Sequence, residues 1–279
     1  MLRFVKYHGL GNDFILVDGT SASITLESQQ VVHLCDRHFG VGADGVILVL
    51  PSAHADCRMQ LFNSDGSEGE MCGNGLRCLA RFVWDEGLIP KTEMTVETLA
   101  GIKCPRLHVE GGHVREIGVE MGNPLLLARD VPTTLNAPDA EAVDVPLDVE
   151  GVTWRVTALN TGVPHCVVFV NDVDSVDWRT LGPRIEHHMA FPAKTNVMFT
   201  QVVARDRLHI HPWERGAGAT LACGTGACAA AVAAAITGRA ERDVQVTLPG
   251  GTLQVKWDVE TDEMIMTGPA ERVFNGKVT

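Results

Sequence analysis

Two of the eight cysteines lie in the same short motif, Cys-Gly-x-Gly, directly before a predicted helix. The copies are Cys72-Gly73-Asn74-Gly75 and Cys223-Gly224-Thr225-Gly226. Glycine allows a tight backbone turn and a close approach of a ligand. The first N–H groups of a helix lack internal partners, and the helix dipole is positive there. Each motif therefore predicts a carboxylate site and a cysteine whose pKa is lowered.

The duplication of this motif predicts a reaction that inverts a carbon centre. A thiolate removes an α-hydrogen from one face, and a thiol delivers a proton to the opposite face. The planar intermediate carries negative charge into its carboxylate, which two helix starts can bind. In another enzyme, one oxyanion donor is worth roughly 2.7–4 kcal/mol. Because one cysteine must be ionised and the other protonated, we expect them to titrate as a coupled pair.

An isolated free cysteine is usually a small buried hydrophobic residue, and this is the alternative for Cys72 and Cys223. The repeated motif favours chemistry for these two. The other six cysteines lack a comparable setting and are interpreted as structural: Cys35, Cys57, Cys78, Cys104, Cys166 and Cys228.

Metal and nucleotide sites have weaker signals. No Cys-x-x-Cys occurs, and we interpret His209, His211 and the pair His187-His188 as surface histidines, so we expect no metal site. The segment Gly40-Val41-Gly42-Ala43-Asp44-Gly45 matches the dinucleotide fingerprint in its letters. However, a predicted helix precedes it and a strand follows, the reverse of the required order, so we interpret it as a turn.

Composition excludes several classes of function. The net charge is −12 and 45% of residues are hydrophobic, which is typical of a soluble globular protein without a basic nucleic-acid surface. No apolar run of signal-peptide length leads to a small-residue cleavage site, and no uninterrupted apolar stretch is long enough to span a membrane. We expect a cytoplasmic protein with reduced thiols and no membrane partner.

The cysteine motifs are positioned by a mixture of short strands and three predicted helices. The helices cover Glu27–His38, Asn74–Glu86 and Gly226–Thr237. The last is apolar on every side, which indicates a buried central helix. Residues Pro124–Val149, rich in proline and aspartate, are predicted to be a surface connection. The sequence predicts an α/β (α+β) fold of two similar domains that face each other across a cleft. Each domain is a mostly antiparallel or mixed sheet wrapped around a central helix.

Four segments together resemble the diaminopimelate epimerase family along nearly the whole chain. They are His8-Gly9-Leu10-Gly11-Asn12-Asp13-Phe14, Phe62–Glu68 leading into Cys72-Gly73-Asn74-Gly75, Trp213–Gly218 leading into Cys223-Gly224-Thr225-Gly226, and Met266-Thr267-Gly268-Pro269-Ala270. The resemblance implies an epimerase without pyridoxal phosphate, another cofactor or a metal. We expect the domains to comprise residues 1–118, with 268–279 returning to them, and residues 119–267.

The resemblance also implies roles for individual residues. Cys72 and Cys223 are the two acid/base residues, and His165 and Glu214 tune their protonation. The reacting carboxylate is held by Gly73, Asn74, Gly224 and Thr225, and the rest of the substrate by Asn12, Asn63, Asn196, Glu214 and Arg215. Without the resemblance, Asn12 and Asn63 are ordinary turn residues. His165 is then a core histidine, Asn196 a loop residue, and Glu214-Arg215 a solvated charge pair.

Three positions depart from a common family pattern. Val163 replaces an asparagine that often precedes Pro-His, and we expect Asn160 to supply the lost hydrogen bond. Gly45 replaces a glutamine found in some members, and Ala219 replaces the glutamate that usually follows Gly-Ala-Gly. These departures concern the distal end of the substrate.

The resemblance implies that the protein interconverts LL- and meso-diaminopimelate in lysine and peptidoglycan precursor synthesis. It also implies a homodimer. The nearest alternative is a racemase of the same fold that acts on proline or hydroxyproline. A second alternative is a thiol redox or metal-binding protein, for which we would expect bound metal or turnover of a disulfide substrate. A third is a binding module, whose activity would not change when Cys72 or Cys223 is replaced by serine.

Overall fold

The computed structural model describes residues 1–21 and 24–279, which divide into two compact units. The first comprises Met1–Glu120 and Thr267–Thr279, and the second comprises Met121–Met266. None of the helices in these described ranges is long and apolar enough to cross a membrane.

The first unit contains one mixed sheet, the hairpin of β8 and β9, which is not part of that sheet, and two helices. Its helices are α1 (Ser28–Cys35) and α2 (Gly73–Asp85), and its strands are β1 (Leu2–Gly9), β2 (Asn12–Asp18), β3 (Gly45–Leu50), β4 (Cys57–Asn63), β5 (Glu68–Gly69), β6 (Val96–Thr98), β7 (Gly101–Lys103), β8 (Arg106–Glu110), β9 (His113–Gly122) and β19 (Glu271–Val278). The sheet order is β19-β1-β2-β3-β4-β6-β7, with β5 on β4, and β8 pairs with β9. The pairs β2–β3 and β4–β6 are parallel.

Both faces of this sheet are covered. Successive residues of a strand point to opposite faces, yet Val46 to Val49 of β3 are all fully buried. Val46 and Leu48 pack in one cluster with Val31 and Leu34 of α1. On the other face, the Cδ1 atom of Ile47 lies 3.1 Å from where a Cβ atom of Gly75 in α2 would be. Helices α1 and α2 therefore pack on opposite faces.

The second unit has the same plan. Its helices are α3 (Trp178–Glu186) and α4 (Gly224–Ile236), and its strands are β10 (Ala142–Val149), β11 (Val152–Asn160), β12 (Pro164–Val170), β13 (Asn196–Ala204), β14 (Arg207–Glu214), β15 (Gly218–Ala219), β16 (Asp243–Leu248), β17 (Gly251–Trp257) and β18 (Met264–Gly268). The strand order is β10-β11-β12-β13-β14-β16-β17-β18, with β15 on β14. The pairs β12–β13 and β14–β16 are parallel, as are their counterparts in the first unit.

Helices α3 and α4 again cover the two faces. Val197 and Phe199 of β13 pack with Trp178 and Ile185 of α3. Met198, between them, points to α4, where a Cβ atom on Gly226 would overlap its sulfur. The predicted α+β fold of two sheet-rich domains, each with a buried central helix, is confirmed.

The prediction for Pro124–Val149 was wrong in part. Ala128 and Val131 are buried, and strand β10 occupies the end of the segment. Proline is tolerated there because β10 lies at the end of the strand order, where a strand needs fewer ladder hydrogen bonds. Helix α3 was not predicted from the sequence.

Candidate active site

Cys72 is the residue that caps the N-terminus of α2. Its backbone is extended, with φ −137° and ψ 119°, and its Sγ atom accepts a hydrogen bond from the N–H of Gly75 at 3.5 Å. The thiol also donates to the side-chain oxygen of Asn12 at 3.7 Å. The cysteine is half-buried. The sequence motif therefore places a partly accessible sulfur at the positive end of a helix.

The side chain of Asn12 is fixed by three partners. Its Nδ2 atom donates to Asp44 at 2.8 Å, and its Oδ1 atom accepts from Asn74 at 3.1 Å as well as from Cys72. Because the donor group is bound to Asp44, the carbonyl oxygen must face the sulfur. Sequence reasoning missed Asp44, because its segment was interpreted only as a turn.

A network of charges holds the loop that carries Asp44. One nitrogen of Arg37 lies 2.7 Å from both Asp13 and Asp44, and the buried Lys6 lies 2.7 Å from Asp13. Burial alone would raise the pKa of Asp13, but hydrogen bonds from Arg37 and Lys6 outweigh it and lower the pKa to about 2. Asp13 is therefore ionised at neutral pH, and the network anchors Asn12 and Asp44 together.

The other predicted residues of the first unit surround the helix start. Gly73 and Asn74 are the first two residues of α2, so their N–H groups have no partner within the helix. Asn63 is exposed at the end of β4, and its side chain donates to Ser67 at 3.0 Å within its own turn.

Cys223 occupies the same position on α4. Its backbone has φ −128° and ψ 105°, and its Sγ atom accepts from the N–H of Gly226 at 3.3 Å. The hydroxyl of Thr225 lies 3.5 Å from the sulfur. Unlike Cys72, this residue is only 3% exposed.

The predicted lowering of the Cys223 pKa was wrong. Burial raises the pKa of this thiol well above its ordinary value, and the nearby carboxylate of Glu214 raises it further by its charge. Hydrogen bonds from Thr225 and Gly226 act in the opposite direction but are weaker. Desolvation therefore outweighs the helix dipole, and Cys223 is a protonated thiol at neutral pH.

Asn196 and Glu186 hold the loop that follows β14. The buried amide of Asn196 accepts from the backbone N–H of Arg215 at 2.7 Å and donates to Pro164 at 3.1 Å. Glu186 of α3 accepts from the N–H of Gly216 at 3.1 Å and from the indole of Trp213 at 2.8 Å. Glu186 was missed from the sequence because no local motif surrounds it. The exposed side chain of Arg215 donates to Ala193 at 3.0 Å.

His165 is fully buried on β12, in register with Asn196 on β13. Neither ring nitrogen has a hydrogen-bond partner among the described residues. Burial, with a smaller contribution from the charge of Arg215, lowers the pKa of His165 to about 3. The ring is therefore neutral at physiological pH.

The positions that depart from the family pattern differ in their surroundings. Asn160, expected to replace the hydrogen bond lost at Val163, donates from its amide to the backbone of Asp130 and accepts from the N–H of Gly162, both at 2.9 Å. Gly45 begins β3, where a Cβ atom would lie 2.5 Å from a backbone oxygen, so a side chain does not fit without movement. Ala219 is exposed on β15.

Comparison with known proteins identifies the family. The family model described as diaminopimelate epimerase matches residues 4–127 and 157–273. Diaminopimelate epimerase 1 of Nostoc sp. is 53% identical over 281 residues, and the match covers 99% of each chain. The diaminopimelate epimerase of Moorella thermoacetica is 51% identical over 276 residues, covering 99% of this chain and 98% of the relative.

Solved structures of lower identity share the fold. A PhzF-family phenazine biosynthesis protein from Bacillus anthracis superposes with a TM-score of 0.71 at 18% identity, covering 100% of this chain and 99% of the other. A hydroxyproline epimerase from Agrobacterium vitis superposes with a TM-score of 0.69 at 17% identity, covering 99% and 91%. The fold is thus shared widely, whereas the sequence identity is specific: the chain belongs to the diaminopimelate epimerase family.

Proposed function

We propose that this protein interconverts LL- and meso-2,6-diaminopimelate in lysine and peptidoglycan precursor synthesis. It is an isomerase that needs no pyridoxal phosphate. The observation that carries the proposal is the pair of helix-capping cysteines in a chain 53% identical to a curated diaminopimelate epimerase. Its mechanism is proton exchange between two thiols without a metal.

In one direction, Cys72 acts as the base and Cys223 as the acid. The Cys72 thiolate takes the α-proton, and the electron pair of the broken C–H bond moves into the substrate carboxylate. The Cys72 thiol that results is the form that donates to Asn12. The Cys223 thiol then gives its proton to the opposite face of the carbon and becomes a thiolate. The high pKa of Cys223 supports this assignment, because it keeps that sulfur protonated until the carbanion forms. The reverse reaction exchanges the two roles.

The helix starts stabilise the charge that develops during the reaction. The N–H groups of Gly73, Asn74, Gly224 and Thr225 bind the reacting carboxylate. Glu214 keeps Cys223 protonated, and the neutral ring of His165 adds no competing positive charge.

We assign the remaining predicted residues to two tasks. The exposed residues Asn63 and Arg215 contact the distal end of the substrate, where the planar guanidinium of Arg215 suits the second carboxylate. Asn12 and Asn196 have both ends of their amides engaged with protein groups. They are therefore positioning residues, which orient Cys72 and the Arg215 loop respectively.

Hydrogen exchange at the α-carbon in heavy water tests the proposal. The substrates are LL-diaminopimelate, meso-diaminopimelate, L-proline and trans-4-hydroxy-L-proline. We expect deuterium incorporation with both diaminopimelates, and incorporation with the proline compounds alone would overturn the proposal in favour of the related racemases. Cys72→Ser and Cys223→Ser should each lower epimerisation about 10²–10⁴-fold, the usual contribution of an acid/base group. Cys104→Ser, outside both motifs, is the matched control and should retain activity.

We further propose a cytoplasmic homodimer. Strand β19 lies at the end of the first unit's sheet and exposes the large apolar residues Val273 and Phe274. An exposed apolar edge strand is a surface that a second copy can cover. Sedimentation should give a dimer that Phe274→Lys dissociates, and a monomeric parent chain would contradict this assignment.

A further inference from the structure

Three potential metal ligands of the second unit lie together outside the residues described above. They are Asp174, His209 and His211, and one nitrogen or oxygen of each lies within 4.8 Å of the others. His209 and His211 are two positions apart on β14, so their side chains leave the same face of the strand. Asp174 precedes α3, and its Oδ1 atom lies 2.8 Å from Nε2 of His211.

We propose that these three residues bind one divalent transition-metal ion of the Zn²⁺ type. Two imidazoles and a carboxylate form a donor set that zinc accepts, with a fourth position left for water. The site would connect the segment before α3 to β14, within a single unit.

The ring of His211 is already oriented for such a role. It stacks on the indole of Trp178 at a centroid distance of 4.8 Å and an angle of 14°. Its Nδ1 atom is buried and has no hydrogen-bond partner among the described residues. The accessible nitrogen is therefore Nε2, which faces Asp174.

The distances require only a small adjustment. Ligand atoms at about 2.0–2.2 Å from a tetrahedral ion lie about 3.3–3.6 Å apart. The distance between Nε2 of His211 and Oδ1 of Asp174 must therefore increase from 2.8 Å. The most distant pair of ligand atoms, up to 4.8 Å apart, must come about 1 Å closer together. Asp174 is exposed and can make this change by rotating its side chain. A cavity of about 280 Å³, lined by Asp174, Trp178, His211, Thr220 and Pro249 among others, has room for water on the ion.

The charges around the site act in both directions. The hydrogen bond with His211 holds the pKa of Asp174 below its ordinary value, so its carboxylate is available as an anionic ligand. The guanidinium of Arg179 opposes a cation, because it lines the same cavity as Asp174 and His211 and lies 4.2 Å from the Trp178 ring centroid.

Titration of the metal-free protein with Co²⁺, followed by visible absorption, tests the proposal. We expect one Co²⁺ per chain, with the weak bands of nitrogen and oxygen ligation and without the intense near-ultraviolet band of a thiolate ligand. Asp174→Asn and His209→Gln should each weaken binding at least about tenfold, because each removes one of three protein ligands. The double variant His187→Gln/His188→Gln alters another histidine pair and should bind as tightly as the parent.

Thermal unfolding of each variant without metal establishes that it is folded. An ion bound to the folded chain should raise the unfolding temperature of the parent and of the His187→Gln/His188→Gln variant, and not that of Asp174→Asn. Unchanged binding in Asp174→Asn and His209→Gln, a thiolate band, or no binding to the parent would each overturn the proposal. Epimerase activity does not enter this test, so its outcome is separate from that of the proposed function.

Discussion

The helix starts at Cys72 and Cys223 share a backbone but differ in what surrounds the sulfur. In both, an extended cysteine caps the helix and accepts a hydrogen bond from the third helical residue, at 3.5 and 3.3 Å. Cys72 is half-buried and faces the amide oxygen of Asn12, whereas Cys223 is 3% exposed beside Glu214.

This difference shows that the motif sets the position of a thiol while the surroundings set its protonation. A helix dipole is worth about 0.3–1 kcal/mol at an exposed site. Full burial can shift a pKa by up to about 3–5 units, and each unit corresponds to about 1.4 kcal/mol. At Cys223 burial and a neighbouring carboxylate act together, so they outweigh the dipole. Two copies of one motif can therefore supply an acid and a base.

The largest expected effect is a difference in alkylation. The thiolate is the reactive form, and each unit by which a pKa exceeds the pH lowers its fraction about tenfold. Because Cys223 is almost fully buried and its pKa is raised, Cys72 should react with iodoacetamide at least about tenfold faster than Cys223 at neutral pH, measured by mass spectrometry of the modified peptides. Equal rates would contradict the comparison.

The variant Glu214→Gln sharpens this experiment. Removing the charge lowers the pKa of Cys223, so its alkylation should accelerate while that of Cys72 stays the same. An unchanged Cys223 rate would mean that burial alone protects the sulfur.

The glycines at the third helical position should also respond differently. A Cβ atom at Gly226 would overlap the sulfur of Met198 and lie 3.0 Å from that of Cys223, while at Gly75 the nearest contact is 3.1 Å. Alanine favours a helix over glycine by about 1 kcal/mol, and overpacking costs about 1–3 kcal/mol. Gly226→Ala should therefore lower the free energy of unfolding by about 2 kcal/mol, and Gly75→Ala by less than about 1, in urea titrations. Equal losses would contradict the packing difference.

The two units each bury a basic side chain, and these two side chains should affect stability at low pH differently. Lys6 is paired with Asp13, whereas His165 is buried and neutral with a pKa of about 3. Below the unfolded pKa of about 6.5, the unfolded chain binds a proton that the folded chain does not, so stability falls as the pH falls towards 3. Between about pH 7.5 and about pH 5, the free energy of unfolding of the parent should therefore fall by about 2 kcal/mol more than that of His165→Gln. Parallel curves for parent and variant, measured by urea unfolding, would show that His165 does not titrate in this way.

The smallest expected effect concerns Asp44, which holds Asn12 towards Cys72. Asp44→Asn should lower kcat about fivefold, since a hydrogen bond to a charged group is worth about 1.5–3 kcal/mol and the asparagine keeps one acceptor. The alkylation rate of Cys72 should change with it, which a purely structural role would not produce. Glu110→Gln alters an exposed carboxylate paired with Arg115 and is the matched control. If kcat and the alkylation rate of Cys72 were both unchanged in Asp44→Asn, Asp44 would not be a positioning residue.

The parts of the site that could be predicted are those with local signals. Glycines and a capping cysteine mark the starts of α2 and α4 within four residues, and both helices lie within two residues of their predicted bounds. The residues that were missed act at long range. Asp44 meets Asn12 from 32 positions away, and Glu186 meets Gly216 from 30 positions away. The protonation of Cys223 was predicted in the wrong direction because burial is a property of the whole unit and not of its motif.

The pairing of β19 with β1 has a consequence for synthesis on the ribosome. These antiparallel neighbours are separated in sequence by the entire second unit, whereas that unit is a continuous stretch of chain. The second unit can therefore fold as soon as it emerges, while the edge of β1 remains uncovered until β19 has been translated. Stalled or truncated products that lack β19 should consequently be the species that chaperones bind and proteases remove.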